Sequence, residues 1–176
     1  KDFVLNLEVV LPKGEIIYTG ADTLKNSTGY NLTQLMVGSE GTLGIVTKAT
    51  LKLLPLPKLN KLILVSFKSA LDACAAVSSI FKAGIVPSAM EFMERFAVEW
   101  TMKYIDDAHL SMKDDVEALL LIEVDGNNEE LLFEDIQRIV EVVEMYNCDE
   151  DILFAEDEAQ KDQLWFIRRR IGEAVK

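Results

Sequence analysis

The residues that most often do chemistry unaided are scarce in this sequence. One histidine and two cysteines occur among 176 residues. Cys74 and Cys148 lie far apart and form neither a metal-ligand pattern nor a disulfide framework. Cys74 shares a helical stripe with Leu71, Ser78 and Phe81, which reads as the site of a buried, reduced thiol. His109 falls in a polar connection and reads as a surface residue, with no metal or catalytic role. No apolar run approaches the roughly 20 residues of a membrane-crossing helix. No signal-peptide pattern is read, so a cytoplasmic location is expected, with peripheral membrane docking of a parent protein left open. Basic residues are outnumbered, 18 Lys and Arg against 30 Asp and Glu, for a formal net charge of −12. That balance argues against a nucleic-acid partner.

Hydrophobic residues make up 49% of the chain, which is globular in composition. Charge is uneven. Residues 1–60 carry six basic and five acidic side chains, and residues 61–176 carry twelve and twenty-five. The break follows Pro55 and Pro57, so composition and turn chemistry mark one boundary. The chain opens without methionine directly into strand pattern and closes within a helical pattern. A piece of a longer protein is therefore expected.

Before the boundary, residues 3–11 and 15–19 read as a hairpin around Pro12-Lys13-Gly14. Residues 20–29 are polar and loop-like, with Lys25, Asn26, Ser27 and Thr28 as hydrogen-bonding groups. Asn31 is placed to cap a short helix over 32–36. Gly38, Gly41 and Gly44 follow, and residues 45–54 read as a strand. A glycine loop lets backbone N–H groups approach a ligand. On spacing alone, a tight turn between helix and strand is the plainer reading. A dinucleotide fingerprint runs strand, glycines, helix, whereas here the helix comes first. Glu40 would repel a phosphate and reads as a carboxylate that accepts backbone hydrogen bonds and shapes the loop. So few elements cannot close a core alone.

After the boundary the pattern is β-α-β-(α)-β-α-β. Strands are expected at 61–67, 86–93, 117–125 and 152–155. Helices are expected at 69–83, 94–105, 129–146 and 158–176. The order implies a ferredoxin-like antiparallel sheet with one inserted helix, so the fold class is α+β. Phe96, Trp100 and Tyr104 form an aromatic stripe that reads as covering the sheet, with a ligand cover as the alternative. Leu132, Ile136, Ile139, Val140 and Val143 point inward from the long helix. In the last helix Leu164, Ile167, Ile171 and Val175 form the apolar face. Of three consecutive arginines only Arg168 falls on it. An arginine among apolar neighbours needs a buried acid or an anionic ligand. Trp165 reads as core packing, with an interface or lid role as the alternative.

Two strings carry a family resemblance. They are Lys25-Asn26-Ser27-Thr28-Gly29-Tyr30-Asn31-Leu32 and Gly38-Ser39-Glu40-Gly41-Thr42-Leu43-Gly44-Ile45-Val46-Thr47. Together they resemble the FAD-linked oxidases related to vanillyl-alcohol oxidase, in the branch of glycolate oxidase flavoprotein subunits and D-lactate or D-2-hydroxyglutarate dehydrogenases. Asn31 stands where many relatives have Asp. The resemblance implies that residues 1–57 are the C-terminal part of an FAD-binding α+β domain, and that 58–176 are a truncated cap domain. It implies FAD as cofactor, with Gly38, Ser39, Glu40, Gly41, Gly44, Ile45 and Val46 beside it. Leu164-Trp165-Phe166-Ile167-Arg168 resembles the family's Leu-Trp-x-x-Arg motif, which implies that Arg168 grips a 2-hydroxy-acid carboxylate. Relatives often have Thr four residues later, where this chain has Gly172. The implied activity is oxidation of a glycolate- or D-lactate-type substrate to the 2-oxo acid. The family's histidine-rich, metal-binding base would follow Lys176, so no catalytic or metal residue is assigned here. The piece alone is expected to be inactive and to bind FAD weakly or not at all. The electron acceptor is undetermined, and a homo-oligomer or partner subunits are open. The alternatives are a ferredoxin-like small-molecule-binding or regulatory module without redox chemistry, and a structural assembly domain.

Overall fold

The computed structural model describes residues 1–27, 29–174 and 176. Thr28 of the polar loop and Val175 of the last apolar face lie outside the described residues. The chain forms two compact units, Lys1–Leu56 and Pro57–Lys176.

In the first unit, β1 (Val4–Val10), β2 (Ile16–Tyr18) and β3 (Ile45–Leu51) form an antiparallel sheet in the order β2-β1-β3. The hairpin turn closes where the Leu11 N–H donates to the Glu15 carbonyl at 2.8 Å. The short helix α1 (Leu32–Met36) is capped by the Asn31 side chain, which accepts from the Gln34 N–H at 3.1 Å. A buried pair of hydroxyls, Thr19 and Thr33 at 2.8 Å, ties α1 to the hairpin. The buried core is small, consisting of Leu7, Val9 and Met36. β3 stops at Leu51, three residues before the sequence pattern does, because pairing with β1 ends at Val4 opposite Leu51.

The second unit contains β4 (Leu59–Phe67), α2 (Ala70–Lys82), β5 (Ala89–Glu94), α3 (Arg95–Tyr104), β6 (Ala118–Gly126), α4 (Glu129–Val143), β7 (Leu153–Phe154) and α5 (Glu158–Ala174). Its sheet is antiparallel throughout, in the order β5-β6-β4-β7. Counted within the unit that order is 2-3-1-4, the ferredoxin-like arrangement. α2 and α4 cover one face, where Ala73, Ala76, Ile80, Leu132, Ile136 and Ile139 pack among Ile63, Val65, Phe67, Leu120 and Ile122. α3 and α5 cover the other, where Val98, Leu164 and Ile167 pack among Leu62, Leu64, Met93, Leu119 and Leu121. Double coverage explains the unbroken apolar run Leu119–Ile122, since a strand with one wet face would alternate.

Three readings need correction. α2 buries Ala73, Ala76 and Ile80, and the stripe of Leu71, Cys74 and Phe81 faces solvent, so Cys74 is an exposed thiol. Small alanines let the helix sit close to the sheet, which the bulkier stripe would prevent. On α3, Val98 and Thr101 face inward. Phe96, Trp100 and Tyr104 are 67%, 50% and 59% exposed, so the aromatic stripe does not cover the sheet. β5 begins at Ala89, after Pro87, which has no N–H to give a ladder.

Candidate functional site

The glycine segment forms an open bend after α1. Val37 is the C-cap of that helix, and Gly38, Glu40 and Gly41 take positive φ of 89°, 52° and 79°. The Ser39 N–H donates to Met36 O, and the Thr42 N–H donates to Ser39 O, both at 3.0 Å. The Thr42 hydroxyl also donates to Ser39 O at 2.6 Å. A turn from Ser39 to Thr42 with two positive φ values at its centre favours glycine, which Gly41 supplies. Glu40 bears the strain of a non-glycine residue in the same region, about 1–2 kcal/mol. Its carboxylate is exposed and, among the described residues, accepts no hydrogen bond, so it does not shape the loop as the sequence suggested. Backbone and Thr42 do that work. Among the described residues the N–H groups of Gly38, Glu40 and Gly41 meet no acceptor in the protein.

Gly44 is glycine for another reason. A Cβ there would lie 2.6 Å from Val9 Cγ1 and 2.9 Å from the Val10 carbonyl oxygen, so the residue lets β3 close on β1. Beyond it, Ile45 and Val46 are 67% and 47% exposed on the outer strand of the sheet. The bend is therefore an open surface of backbone amides flanked by two exposed aliphatic side chains.

On the same sheet Glu8 gathers three donors. The Lys48 ammonium and the Tyr18 hydroxyl lie at 2.7 Å and the Thr47 hydroxyl at 2.8 Å. The Lys48 contact first, then Tyr18 and Thr47, hold the Glu8 carboxyl down at about 2, against an ordinary 4.5. A depressed carboxylate pKa stabilises the fold above the unfolded pKa, and this contribution disappears as pH falls toward 2. Carbon-detected NMR of Glu8 should show a midpoint near 2. Stability measured in urea should fall between pH 4.5 and 2 more steeply in the parent chain than in Glu8→Gln.

Arg168 lies on α5 beside Ile167 and Leu164. Its Nε donates to Glu91 Oε2 at 2.8 Å, and Nη2 lies 2.7 Å from the same oxygen as an ion pair. The acid partner expected for an arginine on an apolar face is thus present, supplied by β5. Arg169 lies over the Trp165 ring at 5.7 Å. Arg170 pairs with Glu173 and lies over Phe166. Trp165 is half-buried, and its indole N–H donates to Glu123 Oε2 at 2.9 Å. Gly172 faces open space and has no side chain with which to donate. His109 is exposed, and its carbonyl accepts from Gln163 Nε2 at 3.0 Å. Among the described residues no group of three or more His, Cys, Asp or Glu is placed to hold a metal. Glu91 went unread in the sequence. The signal was its period-two spacing from Met93, which puts a charge on a covered sheet face.

Residues 56–176 match the family of FAD linked oxidases, C-terminal domain, and the chain belongs to that family. The resemblance read from the glycine segment and the Leu-Trp-x-x-Arg string is borne out at that level. Among its relatives, the D-lactate dehydrogenase of Anaerostipes hadrus is 38% identical over 178 residues, covering 99% of this chain and 37% of that protein. The glycolate oxidase subunit GlcD of Bacillus subtilis is 42% identical over 145 residues, covering 82% of this chain and 29% of that protein. The chain thus spans about a third of the length of these relatives. In fold it is similar to 4-ethylphenol oxidase from Gulosibacter chungangensis, with a TM-score of 0.66 at 15% identity, over 96% of this chain and 38% of that one.

Proposed function

We propose that the chain is part of an FAD-dependent oxidoreductase that oxidises a 2-hydroxy acid, of the glycolate or D-lactate type, to the 2-oxo acid. The observation that carries this reading is the open bend at Gly38–Gly41, with three unpaired amides beside exposed Ile45 and Val46. Such a cluster of free N–H groups suits the oxygen acceptors of a dinucleotide. Ser39 and Glu40 belong to the same surface by position, whereas Gly44, expected beside the cofactor, is buried against β1 and holds β3 in register. The fit is chemical: amides for phosphate or ribose oxygens, aliphatic side chains for a ring face. Glu40 is the exception, and its carboxylate points to a neutral or hydroxyl-bearing neighbour.

Oxidation of a 2-hydroxy acid removes a hydride from the α-carbon and a proton from the hydroxyl. FAD, when bound, supplies the two-electron acceptor. This chain's residues hold and orient. In the first unit, residues 38–46 bind the cofactor. In the second, Arg168 offers a planar guanidinium to the substrate carboxylate. The proton acceptor lies outside the residues assigned here. Three relatives are named as glycolate oxidase subunits, which supports assembly with partner subunits in the parent. A cytoplasmic location, with peripheral membrane docking open, belongs to the same proposal. Among the described residues no helix is long and apolar enough to cross a membrane.

The Arg168–Glu91 pair favours the second reading, a ferredoxin-like module without redox chemistry in which Arg168 is only a brace. Purified full-length protein decides between them. Its visible spectrum should show flavin bands that bleach anaerobically with D-lactate or glycolate. A protein without flavin bands after FAD is added would overturn the enzyme reading.

A further inference from the structure

We propose that Glu91 is the positioning residue for Arg168, fixing the guanidinium so that its free edge faces a substrate carboxylate. The inference rests on the substrate reading above. A guanidinium has two edges able to make parallel hydrogen bonds, one formed by Nε and Nη2 and one by Nη1 and Nη2. Glu91 Oε2 takes the first edge, with both contacts converging on it at 2.8 and 2.7 Å. The second edge lies outside the pair and carries two parallel donors, the geometry that matches a carboxylate. One acid can therefore orient the arginine while another binds it.

Glu91 is well placed for this. It sits on β5, paired opposite Leu121 of the central strand β6, and Leu121 is buried. Arg168 follows Ile167, which is fully buried on α5. Both groups thus stand on rigid elements, which hold a side chain more closely than a loop does. The pair is a poor stabiliser by comparison, because its side chains are 36% and 33% exposed. Ion pairs at such exposure contribute little to stability.

The test compares Glu91→Ala, Glu91→Gln and Arg168→Lys in the full-length, FAD-loaded protein, with D-lactate and glycolate as substrates. Glu91→Ala frees the guanidinium and should lower kcat/KM by about 10–100-fold, the scale of a misplacement of about 1 Å. Glu91→Gln keeps an acceptor oxygen at the same edge and should recover activity to within a few-fold of the parent. FAD content and the urea midpoint should be unchanged in both. Parent-like kinetics in Glu91→Ala, with Arg168→Lys impaired, would overturn the positioning role alone. So would equal losses in the Ala and Gln variants, or losses that track the urea midpoint. Parent-like kinetics in Arg168→Lys would instead remove the substrate reading beneath it.

Discussion

Arg168→Lys in the full-length protein is expected to lower kcat/KM for 2-hydroxy acids by about 10–100-fold, with FAD content unchanged. Lysine keeps the charge but loses the fork. The guanidinium can satisfy Glu91 at one edge and a substrate carboxylate at the other, and an ammonium on a shorter reach cannot hold both geometries. A hydrogen bond to a charged group contributes about 1.5–3 kcal/mol. One such loss felt in the transition state corresponds to one to two powers of ten in rate. Separate determination of kcat and KM, beside the flavin spectrum of the same preparation, checks the prediction. FAD lost in proportion to activity would make Arg168 a structural brace.

A second large effect concerns the sheet of the second unit. Leu120→Ala and Leu121→Ala should each destabilise it by about 2–5 kcal/mol, measured by urea unfolding of the chain. The two side chains are neighbours on β6 and point to opposite faces. Each is fully buried, Leu120 beneath α2 and α4 and Leu121 beneath α3 and α5. A ferredoxin-like sheet with one solvated face would lose stability at only one of these positions. Comparable losses at both would establish that α3 and α5 are a packed layer. A loss below about 1 kcal/mol at Leu121 would mean that its face is only loosely covered.

Legibility in the sequence followed the physics of each element. The Asn31 cap, the hairpin, β6 and the inward face of α4 could be read because each rests on short-range chemistry or a single dominant period. α2 offered two competing stripes. The winning one holds two alanines, whose value lies in allowing close approach and which a hydrophobicity pattern underrates. α3 misled in the same way, because spacing shows that aromatics share a face but not which face meets the sheet. The site was legible only as candidate positions. Glu91 and Arg168 lie 77 positions apart and obey no spacing rule, and their meeting is set by α5 packing beside α3 over the sheet face that carries Glu91. Likewise Gly44 could not be separated from Gly41 until β1 was known to lie against it.

Amide hydrogen exchange over residues 37–46 of the full-length protein, with and without FAD, tests most directly whether this bend lies against the cofactor. FAD should slow exchange at Gly38, Glu40 and Gly41 by more than it slows the strand β6, whose amides report only the general stabilisation that any ligand brings. Exchange at those three amides that is unaltered in flavin-loaded protein would contradict the account.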